Sequence, residues 1–464
     1  MIGTFAGTRR LSERDWQEIL RVTAVIGVLL QAALYYPGFI YFDSFQQFYE
    51  TQTGHYDDWH PPIMTLFWRL QVILFGTANL FFALQIGAYW LGLHILFRQW
   101  PARWWTVLAQ LALGFAPFTA QFLGNVWKDI GLGVCAMIAC GLIMDARFNG
   151  KTISFRRGLM IALLLFYATF VRHNAAFLTA PFILLAFSKW NRMLSWQPLA
   201  ALALCAFIIG ITPFMNRQIL GAENSHVDRS LKIYDLGGIS HFTQINLLPG
   251  TWTEDENNKI LNSCYETKDW NNYRFNACPY VWEKLDVSNL NQVWLSAIVS
   301  HPFAYAYHRF GSFNNFMRFI GPQWGYLYYE QQVPGYVTDK PPNPAPLYSA
   351  IAGILKSMHS YIFFMPYFWF SLLLAQFILT TPMTDKSRQV VNCISIASLT
   401  YLLSFLPFGV ASDFRYAFPA IVLCCSGFVI LIAAHLKGTA TPYTRLQKGL
   451  LAIPATLITI GVIF

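Results

Sequence analysis

Apolar runs of roughly 20 residues recur along this chain, parted by short polar turns. That length is set by helices crossing a hydrocarbon layer about 30 Å thick. The runs fall at roughly 19–41, 77–97, 104–123, 129–146, 158–171, 174–188, 195–214, 360–381, 389–410, 416–435 and 448–464, which predicts about 11 spans. Alternating ten-residue segments, the mark of a membrane β-barrel, do not occur. Met64 to Gly76 is apolar but short and interrupted by Arg69, which predicts a helix lying in the interface. A long hydrophilic stretch, Asn216 to about Leu347, is large enough for a small folded domain. The expected architecture is an all-α polytopic membrane protein. Its parts are an N-terminal membrane module over 1–214 with a first loop at 43–76, an α-rich loop domain over 215–347, and C-terminal membrane helices over 348–464.

Composition agrees. Of 464 residues, 55% are hydrophobic and 12% charged, about half the charged share of a soluble domain. A soluble enzyme, a disordered chain and a collagen-like fibre are excluded. Met1 to Leu20 has charges and no short apolar core ending in small residues, so no cleavable signal peptide is expected. The net charge of +9 is a topology signal and does not point to nucleic acid. With the N-terminus in the cytoplasm, every inner loop is basic, from Arg9, Arg10, Arg14 and Arg21 through Arg98, Arg103, Arg147, Lys151, Arg156, Arg157, Lys189 and Arg192 to Lys386, Arg388, Lys437, Arg445 and Lys448. The short outer turns hold only Lys128, Arg172 and Arg415. The long hydrophilic stretch then lies outside, in an oxidising compartment. Cys264 and Cys278, 14 residues apart, are expected to pair there as in other exported loops; the other reading is two free thiols. The remaining six cysteines lie in apolar runs and read as packing residues.

Polar chemistry gathers in the first outer loop. Asp43 follows the first run at the membrane surface, where partial desolvation raises a carboxylate's pKa and basicity, as a general base acting on a hydroxyl requires. Asp43, Gln46, Gln47 and Glu50 fall at helical spacing and form a polar face; Phe42, Phe45, Phe48 and Tyr49 form a face suited to lipid. The alternative is an interfacial helix in which Asp43 is an N-cap and Gln46 completes a capping box. Asp57, Asp58 and His60 are close enough in sequence to suggest a metal site, but a substrate-contact role fits three groups on one loop better. Lys128-Asp129, Arg172-His173-Asn174 and Arg415-Tyr416 each sit in a short outer turn near the hydrocarbon boundary. Charges there are costly and are paired or functional. Three such turns, each with one cation, suit a shared phosphate. Structural pairs, Lys128 with Asp129 or Asp413 with Arg415, are the competing explanation.

These motifs, with Asp58-Trp59-His60-Pro61, resemble those of bacterial GT-C glycosyltransferases, and within them the phage- and prophage-type enzymes that convert O-antigen serotype. The likeness spans most of the chain as an order of spans and short, permissive motifs. It implies a GT-C-like bundle in the inner membrane with its active site facing the periplasm. It implies transfer of a sugar, glucose by family frequency, from undecaprenyl phosphate to the O-antigen of lipopolysaccharide by inverting displacement. Asp43 takes the place of the catalytic base, with Asp57 and Asp58 as competitors. Lys128, Arg172 and Arg415 take the place of the donor-phosphate ligands. Gln47, Asp57, Asp58, His60, Asp129, His173, Asn174 and Tyr416 are then substrate contacts. Partners implied are the polyprenyl-phosphate sugar, a lipid-linked O-antigen acceptor, membrane lipids, a donor synthase and a flippase. Many members carry two adjacent acids where this chain has Asp43-Ser44, so no catalytic metal and no cofactor are expected. Rival readings are a flippase or transporter of lipid-linked sugars, an O-antigen ligase or polymerase using a diphosphate carrier, and an assembly protein.

Overall fold

The computed structural model describes residues 11–36, 38–40, 42–78, 80–148, 150, 152–187, 196–321, 346–358, 360–381 and 385–463. Arg9, Arg10, Lys151, Lys189 and Arg192 of the basic loops, and 322–345 of the hydrophilic stretch, lie outside the described residues. Helices dominate, with no β-strand among the described residues. The first part of the chain runs through α1 (Glu13–Tyr35), α2 (Phe42–Thr53), α3 (Ile63–Phe75), α4 (Leu80–Phe97), α5 (Trp104–Gly114), α6 (Pro117–Leu123), α7 (Lys128–Phe148), α8 (Phe155–Phe170), α9 (Ala176–Phe187) and α10 (Gln197–Phe214). A hydrophilic lobe follows, with α11 (Asp228–Thr243), α12 (Glu254–Asn262), α13 (Tyr280–Lys284), α14 (Leu290–Ser300) and α15 (Pro302–Met317). The chain then returns through α16 (Pro346–Ser357), α17 (Pro366–Thr380), α18 (Lys386–Leu403), α19 (Phe405–Phe408), α20 (Phe418–Leu436), α21 (Arg445–Leu450) and α22 (Ala452–Ile463).

Seven of these helical stretches are long and apolar enough to cross a membrane, or eight if α5 and α6, bent by 58°, form one crossing. The chain is therefore an all-α, membrane-embedded protein, but the expected count of about 11 is not reached. Helices α8, α9 and α17 have 16, 12 and 15 residues. At about 1.5 Å per residue they fall short of a core about 30 Å thick. The first span also differs from its expected range. Its helix begins at Glu13, where Ser12 and Asp15 form a capping box, and ends at Tyr35, before Pro37.

The most enclosed helix is α7, packed by α4, α8, α18 and α20. Its small residues let neighbours approach closely: a side chain at Gly133 would meet the Pro419 backbone at 3.0 Å. Near one end of α7, Asp145 binds Arg98 at 3.1 Å and Arg157 at 3.0 Å. Lys128 opens the other end. Seventeen residues of helix, about 25 Å, separate these charged clusters, close to a hydrocarbon thickness.

The lobe has its own core, built on Ile233, Tyr234, Leu236, Ile239, Tyr273 and Val281. Cys264 and Cys278 are joined there by a disulfide. The six other cysteines are free thiols on α7, α10, α18 and α20. Asp235, fully buried, receives hydrogen bonds from His308 at 3.1 Å and Trp294 at 2.8 Å and pairs with Arg309 at 2.6 Å. Three isolated backbone bridges join segments distant in sequence: Phe39 with Asn125, Asp57 with Glu223, and Asp269 with Ala411. The last two fasten the lobe to the bundle's loops.

Trp90 on α4 shows how tightly the bundle edge is packed. Its ring fills the space beside Gly27 on α1 and Gly114 on α5, and its Nε1–H donates to Gln31 at 2.8 Å. A Cβ on Gly114 would run into that ring. Gly114→Ala is expected to cost about 1–3 kcal/mol through overpacking, read as a lower midpoint in thermal unfolding of the detergent-solubilised protein.

Candidate functional site

Four segments far apart in sequence converge at one end of α7. The first loop and α2 bring Asp43 and His60. The start of α7 brings Lys128 and Asp129, the turn between α8 and α9 brings Arg172, His173 and Asn174, and a 3-10 turn at Phe414–Ala417 brings Arg415 and Tyr416. The backbone bridge of Phe39 to Asn125, with bonds of 2.8 and 2.9 Å, holds the first loop against the α7 start. Ser44, buried, donates to the Val126 carbonyl and fixes α2 beside it.

The charges are closely matched. Arg415 binds Asp43 at 2.7 Å and Asp413 at 2.9 Å. Arg172 pairs with Asp129, donates to Asn174 at 2.9 Å, and lies 4.2 Å over the Tyr416 ring. Asn174 donates in turn to Ser404 at 3.1 Å. Lys128 Nζ contacts His60 Nδ1. His173 Nε2 stands 3.4 Å from the Trp59 carbonyl. Arg217, in the π-helical turn Met215–Ile219 after α10, binds Asp58 at 2.6 Å. The pairs anticipated within motifs therefore form in part: Asp413 does meet Arg415, but Asp129 meets Arg172 and not Lys128.

A cavity of about 450 Å³ opens beside this network, between α9, α10, α11 and α19. The charged and polar part of its lining comes from Asp58, Lys128, Arg172, His173, Asn174, Arg217 and Tyr416, with Thr212, Asn216, Asp228 and Ser230. Its apolar part is lined by Phe177, Ile209, Pro213, Phe405 and Phe408. Asp43 and Arg415 are not among the lining residues, and Lys128, which is, lies close enough for its charge to act on Asp43.

Several expectations are corrected. Asp43 does not have a raised pKa: burial alone would raise it, but Arg415 beside it, with His60 and Lys128, holds the carboxyl well below the usual carboxylate range. Nor is it an N-cap, since it lies inside α2, and Gln46 reaches Asp57 at 2.8 Å in place of a capping box. Phe48 does not face lipid with Phe45 and Tyr49; it packs on Trp68 at 5.6 Å. Asp57, Asp58 and His60 diverge and cannot share a metal. Asp57 accepts from Gln46 and the Trp59 N–H, both at 2.8 Å. Asp58 accepts from the Ser225 N–H and hydroxyl, both at 2.8 Å, and its pKa is lowered because these bonds and Arg217 outweigh burial. Gln47 is one layer back, donating to Thr65 at 3.3 Å. Arg415, expected as a donor-phosphate ligand, pairs with Asp43 and Asp413 and is not among the cavity-lining residues, whereas Arg217 is. Burial and Lys128 depress both imidazoles, His60 far below 6.5 and His173 to about 4, so both are neutral at pH 7.

One residue of the site, Arg217, has no place among the expected site residues, and Glu50 enters the sequence reading only as part of the polar face of α2. Arg217 follows the α10 run directly, the same position as the other boundary cations, but it opens the long loop and was not counted with the short turns. Glu50 shares the polar face of α2 with Asp43. It is buried, accepts from Thr65 at 3.2 Å, and burial and Asp57 push its carboxyl up to about 7.

Comparison with family models, with curated proteins and with solved structures gives no match.

Glu50 gives a stability signature with a defined sign. Its pKa is about 7 folded against 4.5 for the free group, so above 4.5 the unfolded chain releases a proton that the native protein keeps. This contribution is complete below 4.5 and is lost as pH rises to about 7. Wild-type melting temperature is expected to fall across that window relative to Glu50→Gln in paired melts.

Proposed function

We propose that this protein is a membrane glycosyltransferase of the GT-C type that moves a hexose, glucose by resemblance, from a polyprenyl phosphate to a glycan acceptor. The observation that carries the reading is the cavity: Lys128, Arg172 and Arg217 share its lining with Phe177, Ile209, Pro213, Phe405 and Phe408, where the bundle meets the hydrophilic lobe. A phosphate on a long isoprenoid chain offers an anion to the first group and an apolar chain to the second. The reading places the N-terminus in the cytoplasm, the site on the periplasmic face of the inner membrane, and the O-antigen of lipopolysaccharide as acceptor. A donor synthase and a flippase supply the substrate.

Charge matching supports one phosphate over two. Arg172, Arg217 and Arg415 pair with Asp129, Asp58, Asp43 and Asp413. Lys128, the fourth cation, has no carboxylate partner among the described residues and contacts neutral His60. A phosphodiester sugar donor carries one negative charge and a diphosphate two, so Lys128 matches the former.

In the proposed displacement the acceptor hydroxyl attacks the anomeric carbon, the bond to phosphate breaks, and polyprenyl phosphate leaves. Asp43, kept ionised by Arg415, takes the hydroxyl proton as the new bond forms. Lys128, with Arg172 and Arg217 around it, meets the charge on the departing phosphate.

The test is transfer of labelled hexose from polyprenyl phosphate to a crude O-antigen acceptor by purified protein. Asp43→Asn is expected to lower turnover by about 100-fold or more, with the protein still folded because Arg415 keeps Asp413. Equal transfer by both proteins would move the base to Asp57. Lys128→Ala is expected to raise donor KM about tenfold through loss of a charge-assisted bond. Transfer only from a diphosphate-linked donor would replace this reading with a ligase or polymerase. Donor movement across vesicles without transfer would replace it with a flippase.

A further inference from the structure

Outside the cavity, the least explained charged group is Arg274. It lies on the lobe between a 3-10 turn at Asn271–Tyr273 and Cys278. Its guanidinium carbon stands 4.5 Å from the centre of the Trp59 ring, 4.4 Å from Trp282 and 5.1 Å from Phe275. Trp270, almost fully buried, backs both indoles at 5.7 and 5.6 Å. Aromatic faces fix the guanidinium plane. Among the described residues no protein group accepts a hydrogen bond from it. An arginine carries five N–H donors in a rigid fork, so a half-buried, oriented fork here has its donors unspent.

Its surroundings complete a recognisable chemistry. Asp57 is near enough for the two charges to act on each other. Each Asp57 oxygen already accepts one bond, from Gln46 or the Trp59 N–H, and each retains a lone pair. Phe275 offers a ring that is 49% exposed. A sugar ring needs this combination: an aromatic face for its C–H side, and adjacent donor and acceptor groups for neighbouring hydroxyls. The place is also apt. Trp59 lies between Asp58 and His60, and its carbonyl meets His173 of the cavity wall.

We propose that Arg274, Phe275 and Asp57 form a saccharide subsite that seats a sugar ring of the acceptor glycan beside the cavity. Its place in the reaction rests on the transferase reading; binding of the saccharide does not require donor. The ring lies on Phe275, the Arg274 fork donates to its hydroxyls, and Asp57 accepts from one of them. Transfer then occurs between two separate sites, lipid phosphate below and glycan above, with the loop of Asp57 to His60 between them.

The experiment pairs binding with kinetics on the full chain in detergent. Oligosaccharides released from lipopolysaccharide by mild acid are the probe, followed by saturation-transfer NMR without donor, for wild type, Arg274→Ala and Phe275→Ala. Phe275 is exposed, so its variant leaves the core intact. Expected are wild-type binding and a rise of about tenfold in acceptor KM for each variant, the equivalent of one good hydrogen bond or ring contact, with donor KM and melting temperature unchanged. Transfer by wild type with acceptor KM unchanged in both variants overturns the subsite and keeps the transferase. Saccharide binding that both variants lose, without any transfer, keeps the subsite and overturns the transferase. A lowered melting temperature with donor and acceptor KM raised alike in both variants makes the stack packing and overturns the proposal. Neither binding nor transfer overturns both.

Discussion

A cation at the edge of an apolar bundle is costly unless an opposite charge meets it, and that requirement organises most of this molecule's polar end. Arg172 reaches Asp129, Arg217 reaches Asp58, and Arg415 reaches both Asp43 and Asp413. Apart from Arg415 with Asp413, each pair joins residues far apart in the chain, so pairing ties segments together. The Asp43–Arg415 contact joins residues 372 apart and the Asp58–Arg217 contact residues 159 apart. Breaking either would leave a charge unmet in a poorly hydrated place, which costs several times more than a surface pair contributes. The ion pairs are thus the joints that hold four loops at one point.

The lobe depends on the same joints. Asp58 is fastened to Ser225 and Arg217, and the backbone bridge from Asp57 to Glu223 runs beside it. On the other wall, Arg309 donates to the Gly409 carbonyl at 2.7 Å and the Trp270 N–H to Val410 at 3.0 Å. Gly409 and Val410 line the cavity. The lobe therefore grips both walls of the cavity, and the buried Asp235 that pairs with Arg309 steadies one grip from inside the lobe core.

Much of this was legible in the chain. Apolar runs gave most of the long helices, and the boundary position of Lys128, Arg172 and Arg415 marked residues that do converge. The first loop stood out because Asp43, Gln46, Gln47 and Glu50 repeat at helical spacing. What failed did so for tertiary reasons. Short apolar runs such as α9 counted as spans because hydropathy measures composition and not reach. The direction of the Asp43 shift was misjudged because its dominant partner, Arg415, is remote in sequence while desolvation is inferred locally. Arg217 was passed over because a π-helical turn carries it back to the site from the start of a long loop. Arg274 has no local signal: its meaning comes from Trp59, more than two hundred residues earlier.

The three isolated bridges have an evolutionary consequence. Phe39 with Asn125, Asp57 with Glu223 and Asp269 with Ala411 are joined through peptide groups, which every residue except proline supplies in full. Side chains at and beside those seams can be exchanged without unfastening them. A lineage is then free to re-tailor the chamber wall near Val410 and Ala411 for a different cargo while the frame around it stays registered. Diversification of what is recognised is thereby separated from preservation of the scaffold, and that separation is written in main-chain atoms.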